Sequence, residues 1–269
     1  MTTGRAIDHI GITGHSLDAL AAQYEALGFT LTPRAAHPDH MGTSNRLAQF
    51  AGQNFLELIE VDRPDGASPI SDGVMSFGAY TQQFLARREG INLIVFQTQD
   101  RDADLARWNA AGLNVYEPFN FERLATLPDG SQQVVRFELG FVTHPDIDVL
   151  FFVCHNRAVE HFWKPAFQRH ANGAMEIEAV SLVSDAPGPH AAFVASLFGG
   201  EIRDIPGGQS VACDAHRIDI VEPGALPGPR CIMDAPYAGA ATAITIRAPD
   251  KAGIHTMPGD AGGTHIIWT

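Results

Sequence analysis

His9 and Glu57 are the two side chains of this chain whose types and settings most suggest chemistry. His9 lies in I-D-H-I-G-I-T, Ile7–Thr13, and Glu57 in N-F-L-E-L-I-E-V, Asn54–Val61. Both runs read as strands. An imidazole nitrogen and a carboxylate oxygen meeting across neighbouring strands suit Fe(II), Mn(II), Ni(II) or Zn(II), with water filling the other positions. His155 is a candidate third ligand, which would leave room for two substrate oxygens. The competing reading makes His9 a half-buried strand histidine held by a backbone carbonyl and Glu57 a pocket acid without metal. Alternation puts Glu57 and Phe55 on one strand face and Glu60 on the other. It also sends Cys154 and His155 to opposite faces, so at most one faces the site unless the strand bulges.

A loop before the Glu57 strand adds candidate substrate contacts. His37 and His40, with Thr43 and Asn45, are placed to bind a carbonyl or carboxylate, as loops on rigid sheets often do. Alternatively, Thr43 and Asn45 satisfy local backbone groups. Arg136 suits an anionic substrate group, or a surface pairing with an acid such as Glu138. Glu57 is the candidate base, alternating with its role as ligand, and His155 or His40 is the alternative acid–base residue. Gly199–Gly200 and Gly207–Gly208 follow no phosphate-cradling pattern, so no nucleotide cofactor is expected. No G-x-S-x-G elbow is present.

The elements that must position these residues recur along the chain. The first strand is followed by a helix over Leu17–Leu27, capped by Ser16 and stopped by Gly28. An extended run starts at Phe29. Asn45–Phe50 and Phe55–Val61 then read as a hairpin turned at Ala51–Gln53. Pro64 begins a loop. A second unit has a strand at Ile91–Thr98, a helix at Ala103–Ala111, and strands at Leu113–Tyr116, Gln133–Gly140 and Val149–Cys154. Aligning the helix-ending Gly28 with Gly112 places His9 on Leu93. A third unit has a strand at Ile177–Ser184 and a helix at His190–Leu197. There R-I-D-I-V-E, Arg217–Glu222, matches F-L-E-L-I-E, and Asp219 falls on Glu57. Ala241–Arg247 and His265–Trp268 suggest a reduced fourth unit. Ala158–Gly173 is the candidate linker, and Trp163 with Phe167 reads as a packing face rather than an aromatic cage.

This order resembles the vicinal-oxygen-chelate superfamily, the glyoxalase, bleomycin-resistance and extradiol-dioxygenase group. H-P-x-x-x-G-T-x-N is matched by His37, Pro38, Gly42, Thr43 and Asn45. F-F-x-x-H…W-x-P…Q-R-H-x-N-G-A is matched by Phe151, Phe152, His155, Trp163, Pro165, Gln168, Arg169, His170, Asn172, Gly173 and Ala174. The resemblance implies an α+β fold of tandem βαβββ modules, forming curled mixed sheets around a cup-shaped site. It implies paired modules over 1–173 (units about 5–63 and 89–156, then the linker), and over 174–269 a third module with the reduced fourth. His9 matches the family's opening-strand histidine and Glu57 its closing-strand glutamate. The second module departs from the pattern, with Leu93 at the opening position and Cys154 and His155 near the closing one. That departure argues against a standard lactoylglutathione lyase.

The implied activity is a divalent-metal-dependent lyase or isomerase acting on a vicinal-oxygen or carbonyl substrate. The alternatives are an Fe(II)-dependent ring-cleaving or other dioxygenase, and a metal-free binding or resistance protein. Bulk properties narrow the partners. At 269 residues the chain can bury a sizeable core. With 31 acidic against 18 basic residues, its net charge of -13 repels polyanions, so nucleic acid is not an expected partner. No apolar run is long enough to span a bilayer. Three cysteines, Cys154, Cys213 and Cys231, do not make a disulfide framework, and with no apolar leader the expected location is the cytoplasm. Sheet edges that need protection raise the expectation of a homodimer.

Overall fold

The computed structural model describes residues 5–126, 132–226, 238–256 and 264–269; Cys231 lies outside them. The first half runs β1 (Ile7–Thr13), α1 (Leu17–Ala26), β2 (Ala35–Ala36), β3 (Thr43–Gln49), β4 (Phe55–Val61) and α2 (Phe77–Leu85). It continues with β5 (Gly90–Gln97), α3 (Arg101–Ala110), β6 (Asn114–Val115), β7 (Phe119–Thr126), β8 (Gln132–Thr143), β9 (Leu150–Asn156) and α4 (Val159–Phe162). The second half runs β10 (Glu176–Ser184), α5 (Pro187–Phe198), β11 (Glu201–Ile205), β12 (Gly208–Cys213) and β13 (His216–Val221). It ends with β14 (Gly239–Arg247), β15 (Gly253–Thr256) and β16 (His265–Trp268). Among the described residues no helix is long and apolar enough to cross a membrane.

Two mixed sheets result. The first has the order β2-β3-β4-β1-β5-β9-β8-β6, with β7 paired to β8; the second has β11-β12-β13-β10-β14-β16-β15. The expectation of curled sheets around a cup is overturned here. Each sheet is an open row of strands with two free ends, and neither closes on itself. The reason lies at the centre of the row. Strand β1 pairs parallel with β4 on one side and antiparallel with β5 on the other. The two βαβββ-like units therefore extend one another edge to edge. The second sheet repeats the device, with β10 parallel to β13 and antiparallel to β14. Its parallel register sets Ser181 opposite Asp219, as Gly11 stands opposite Glu57 in the first.

Period-two alternation divides the first sheet into two faces. Ile10, Ile12, Leu56, Leu58, Ile94, Phe96, Phe151 and Val153 join the core that also holds α1, α5 and the inner residues of the second sheet. His9, Phe55, Glu57, Leu93, Val95 and Phe152 fall on the other face, where a second apolar cluster gathers around Met41, Phe77, Phe137 and Phe162. Each fully buried Leu, Ile or Phe is worth roughly 1.5–3 kcal/mol, so exchanging the faces by a one-residue slip is prohibitive.

The sheets are tied by polar contacts as well as by this core. Asn54 uses both ends of its amide on the Ile177 backbone, at 2.9 Å each. Arg107 of α3 donates to the carbonyls of Ser196 and Leu197 near the end of α5, where a cation also meets the negative end of the helix dipole. The 158–173 connection packs on the first unit. His170 accepts from the Thr30 amide at 3.0 Å through Nδ1 and donates to the Gln49 carbonyl at 2.8 Å through Nε2. Gln168 donates to the Phe50 carbonyl at 2.9 Å.

Candidate active site

A cavity of about 200 Å³ opens on the His9 face of the first sheet. Its lining mixes aromatic with polar side chains, and four of the polar ones, His9, His37, Asn45 and Glu57, converge at one point. Asn45 on β3 donates to Glu57 Oε1 at 2.5 Å. His37 Nε2 lies 3.3 Å from the same oxygen, and His9 Nε2 lies 3.5 Å from Oε2. Around them stand Phe55, Phe77, Phe121, Phe137, Phe152 and Trp163. The His9 ring stacks on Phe55 at 4.4 Å and meets the edge of Phe152 at 5.6 Å.

The H-P-x-x-x-G-T-x-N segment builds one wall. Pro38 leads into a short 3-10 turn over Asp39–Met41, which Gly42 ends in the left-handed region at φ 67. A side chain at Gly42 would be strained there, and its Cβ would lie 2.6 Å from the Arg63 carbonyl. Arg63 braces the turn by donating to the carbonyls of His37 and Thr43. Thr43 does not line the cavity. Its hydroxyl bonds His37 Nδ1 at 2.8 Å and so sets which nitrogen faces Glu57. His37 Nε2 also lies 3.1 Å from Asn45 Nδ2. The imidazole accepts from Asn45 when Nε2 is bare and donates to Glu57 when Nε2 carries a proton.

Asp8 holds His9 in the same manner, with His9 Nδ1 donating to Asp8 Oδ1 at 2.5 Å. A register shift in the β1–β5 ladder between Ile7 and His9 accompanies the placing of these consecutive residues on one cavity. Burial raises the Glu57 pKa, but the hydrogen bond from His37, the charges of His37 and His9, and the Asn45 amide more than offset it. The carboxyl falls to about 2 and stays ionised.

The remaining sequence candidates distribute as follows. His155 lines the cavity, with Nδ1 3.6 Å from Glu138 Oε2. Burial, reinforced by the Arg157 charge, lowers its pKa against the pull of Glu138 and Asp100. Cys154 lines the cavity too, with its thiol pushed up by burial and then by the charges of Asp8 and Glu57. His40 is exposed, beside the Phe119 ring. Arg136 faces solvent and pairs with Glu122 at 2.6 Å rather than with Glu138, which Arg157 takes. Sequence reasoning passed over Asp8 and the aromatic wall. Nothing in the sequence marks Asp8, because strict alternation sends it to the face opposite His9 and only the break in the ladder brings both to one site. Trp163, expected as packing, lines the cavity beside Phe162.

The rung of the sheet that carries Glu57 continues through apolar residues. Gly11 sits between Glu57 and Leu93 on one rung of the sheet. A Cβ at Gly11 would lie 2.4 Å from the Leu93 side chain, which occupies that space. Phe152 likewise stands at the cavity where the second unit contributes β9.

A family model for a glyoxalase-like domain matches residues 7–198. The chain belongs to the glyoxalase-like domain family. This glyoxalase-like chain matches no curated protein. Among solved structures it resembles a hypothetical protein from Staphylococcus aureus at 16% identity, over 98% of each chain, with a TM-score of 0.72. It also resembles an Mn(II)-bound glyoxalase from Novosphingobium aromaticivorans, at 16% identity over 100% of this chain and 82% of that one, TM-score 0.55. A mutant 4-hydroxymandelate synthase from Streptomyces coelicolor matches at 11% identity over 93% and 72%, TM-score 0.54. At these identities the likeness establishes the fold.

The family implies a divalent metal, and the glyoxalase-like site offers a partial fit. Two donors sharing a metal at about 2.1 Å from each stand roughly 3–4 Å apart; His9 Nε2 and Glu57 Oε2 are 3.5 Å apart. With Nδ1 committed to Asp8, the facing nitrogen and carboxylate are the chemical types a metal takes, held by the supporting contacts such ligands need. His155 does not join them. Among the described residues, the set of three ligand atoms within 4.8 Å of one another is His144, Asp146 and His190, away from the cavity.

Proposed function

We propose that the chain is a small-molecule lyase or isomerase acting on a carbonyl or vicinal-oxygen compound whose remaining body is apolar. The observation that carries this reading is the ionised, buried Glu57, gripped by His9, His37 and Asn45 at the end of an aromatic cavity. A few convergent polar groups in an apolar pocket orient a substrate by its oxygens and bind its body by burial. Two structural neighbours, a glyoxalase and a mutant hydroxymandelate synthase, support small-molecule chemistry on this fold.

His9 and Glu57 would hold the divalent metal, with His37 adjacent. When bound, the metal would polarise a substrate carbonyl as a Lewis acid. A carboxylate near pKa 2 is a weak proton acceptor at neutral pH. Glu57 therefore serves as ligand and fixed negative charge, a revision of its expected role as base. Proton transfer falls to imidazoles. His37 moves a proton at Nε2, with Thr43 and Asn45 fixing its orientation. His155, kept neutral by burial, supplies a second acceptor. Asn45 holds the Glu57 carboxylate by donating to Oε1, and the phenylalanines exclude water.

The test is turnover across a panel of α-hydroxy carbonyl and dicarbonyl compounds carrying aromatic or alkyl bodies. His37→Asn is expected to lower kcat by roughly 10²–10⁴ with little change in KM. Tight binding of the same compounds without turnover, unaltered by His37→Asn, would favour a binding protein, the reading that the aromatic wall otherwise supports.

A further inference from the structure

His144 and Asp146 lie in the β8–β9 connection of the first sheet, and His190 lies in α5 of the second half. Their ligand atoms come within 4.8 Å of one another, and none of the three lines the cavity. The two imidazole rings meet edge to face at 5.1 Å. His190 is 2% exposed, and its Nδ1 bonds the Ser184 hydroxyl at 2.7 Å. That bond leaves Nε2 as its free ligand atom. Gly239 stands against the ring, where a Cβ would lie 3.1 Å from His190 Nδ1.

The position of this cluster gives it meaning. The same connection makes the backbone joint between the sheets. The Asp146 carbonyl accepts from the amides of Ala238 and Gly239, and Asp148 donates to the Gly239 carbonyl at 2.8 Å. Ile147 bridges Gly239 in parallel. The neighbouring carboxylate of Asp148 is already taken by Arg87 and Arg88. The Asp146 carboxylate is exposed.

We infer that His144, Asp146 and His190 form a second metal site, which takes a divalent transition ion such as Zn(II) and staples the two sheets together. Two imidazoles and one carboxylate, with water in the fourth position, match zinc in ligand type and number; two nitrogen donors select against calcium and magnesium. Burial keeps both histidines toward the neutral form that ligates. Ligation through His144 Nε2 moves that ring's proton to Nδ1 and gives up the 3.2 Å contact with the Asp146 amide.

The test is thermal unfolding and Zn(II) binding of the full chain, stripped of metal and then titrated against a chromophoric chelator. At free Zn(II) near 100 times Kd, the folded-to-unfolded ratio is expected to rise about 100-fold and Tm by roughly 5–10 °C. In the Glu57→Gln background, which silences the cavity pair, the gain should remain, and adding Asp146→Asn or His144→Gln, at surface or half-buried positions, should leave a folded protein without it. A gain that is absent in Glu57→Gln, or that survives there when Asp146→Asn or His144→Gln is added, overturns the site. So does the absence of any tight Zn(II) binding.

Discussion

The proposed chemistry rests on side chains that hold one another. Glu57 is ionised because His37, His9 and Asn45 surround it, and each imidazole is aimed by a partner, Thr43 or Asp8. His9 and Glu57 could be picked out from the sequence because a polar residue inside an apolar strand run is conspicuous. Asp8 could not, since strict alternation sends it to the opposite face. His40 and Arg136 shared the expected residue types, but their backbone positions turn them toward solvent. Gly11 is the residue whose role is clearest only in three dimensions. Its missing Cβ admits Leu93 beside Glu57. Gly11→Ala is expected to cost about 1–3 kcal/mol by overpacking. Leu93→Ala should then cost less in the Gly11→Ala background than in the parent, a non-additivity that a urea-denaturation cycle will measure.

At the scale of elements, strong periodicity was readable and short or buttressing pieces were not. The strands β1 and β4 fall on the runs that named them, and the linker motif Gln168–Asn172 proves to be a clamp on Thr30, Gln49 and Phe50. The nine-residue helix α2 stands where the glycine- and proline-rich stretch after Pro64 reads as a loop. Its signal was Ser76, whose hydroxyl accepts from the Ala79 amide at 3.2 Å, followed by Phe77, Thr81 and Phe84 on one face. α2 carries Phe77 to the cavity, edge-on to His37 at 5.6 Å. Ser76→Ala should destabilise the protein by about 1 kcal/mol through the lost cap. Because α2 forms part of the cavity wall, hydrogen exchange should rise in Phe77–Leu85 ahead of the sheet.

For the whole molecule, the order of elements was legible, but their closure was not. Pattern reports which face of a strand is buried; it does not report that β1 and β5 join edge to edge and leave the sheet open. The joined sheets make several histidines structural. Burial lowers the pKa of His170, against the pull of the Gln49 carbonyl, and burial lowers that of His265. The unfolded chain therefore binds more protons than the folded one below the ordinary value of 6.5. Stability from these groups is present above that pH and is lost as pH falls below it. The urea midpoint should drop on acidification from 6.5, and His170→Gln should make the drop shallower. A midpoint that rises on acidification through this window would contradict the linkage.

His9 and Glu57 are the pair proposed to hold a divalent metal in the cavity. That role is tested most directly by the metal content per chain of Asp146→Asn, alone and combined with Glu57→Gln, after anaerobic reconstitution with Fe(II), Mn(II), Ni(II) or Zn(II). Asp146→Asn silences the inter-sheet site, so the metal that remains reports the cavity. One equivalent is expected in Asp146→Asn and its loss in the double variant. Equal metal in both proteins, or none in either, would contradict that role.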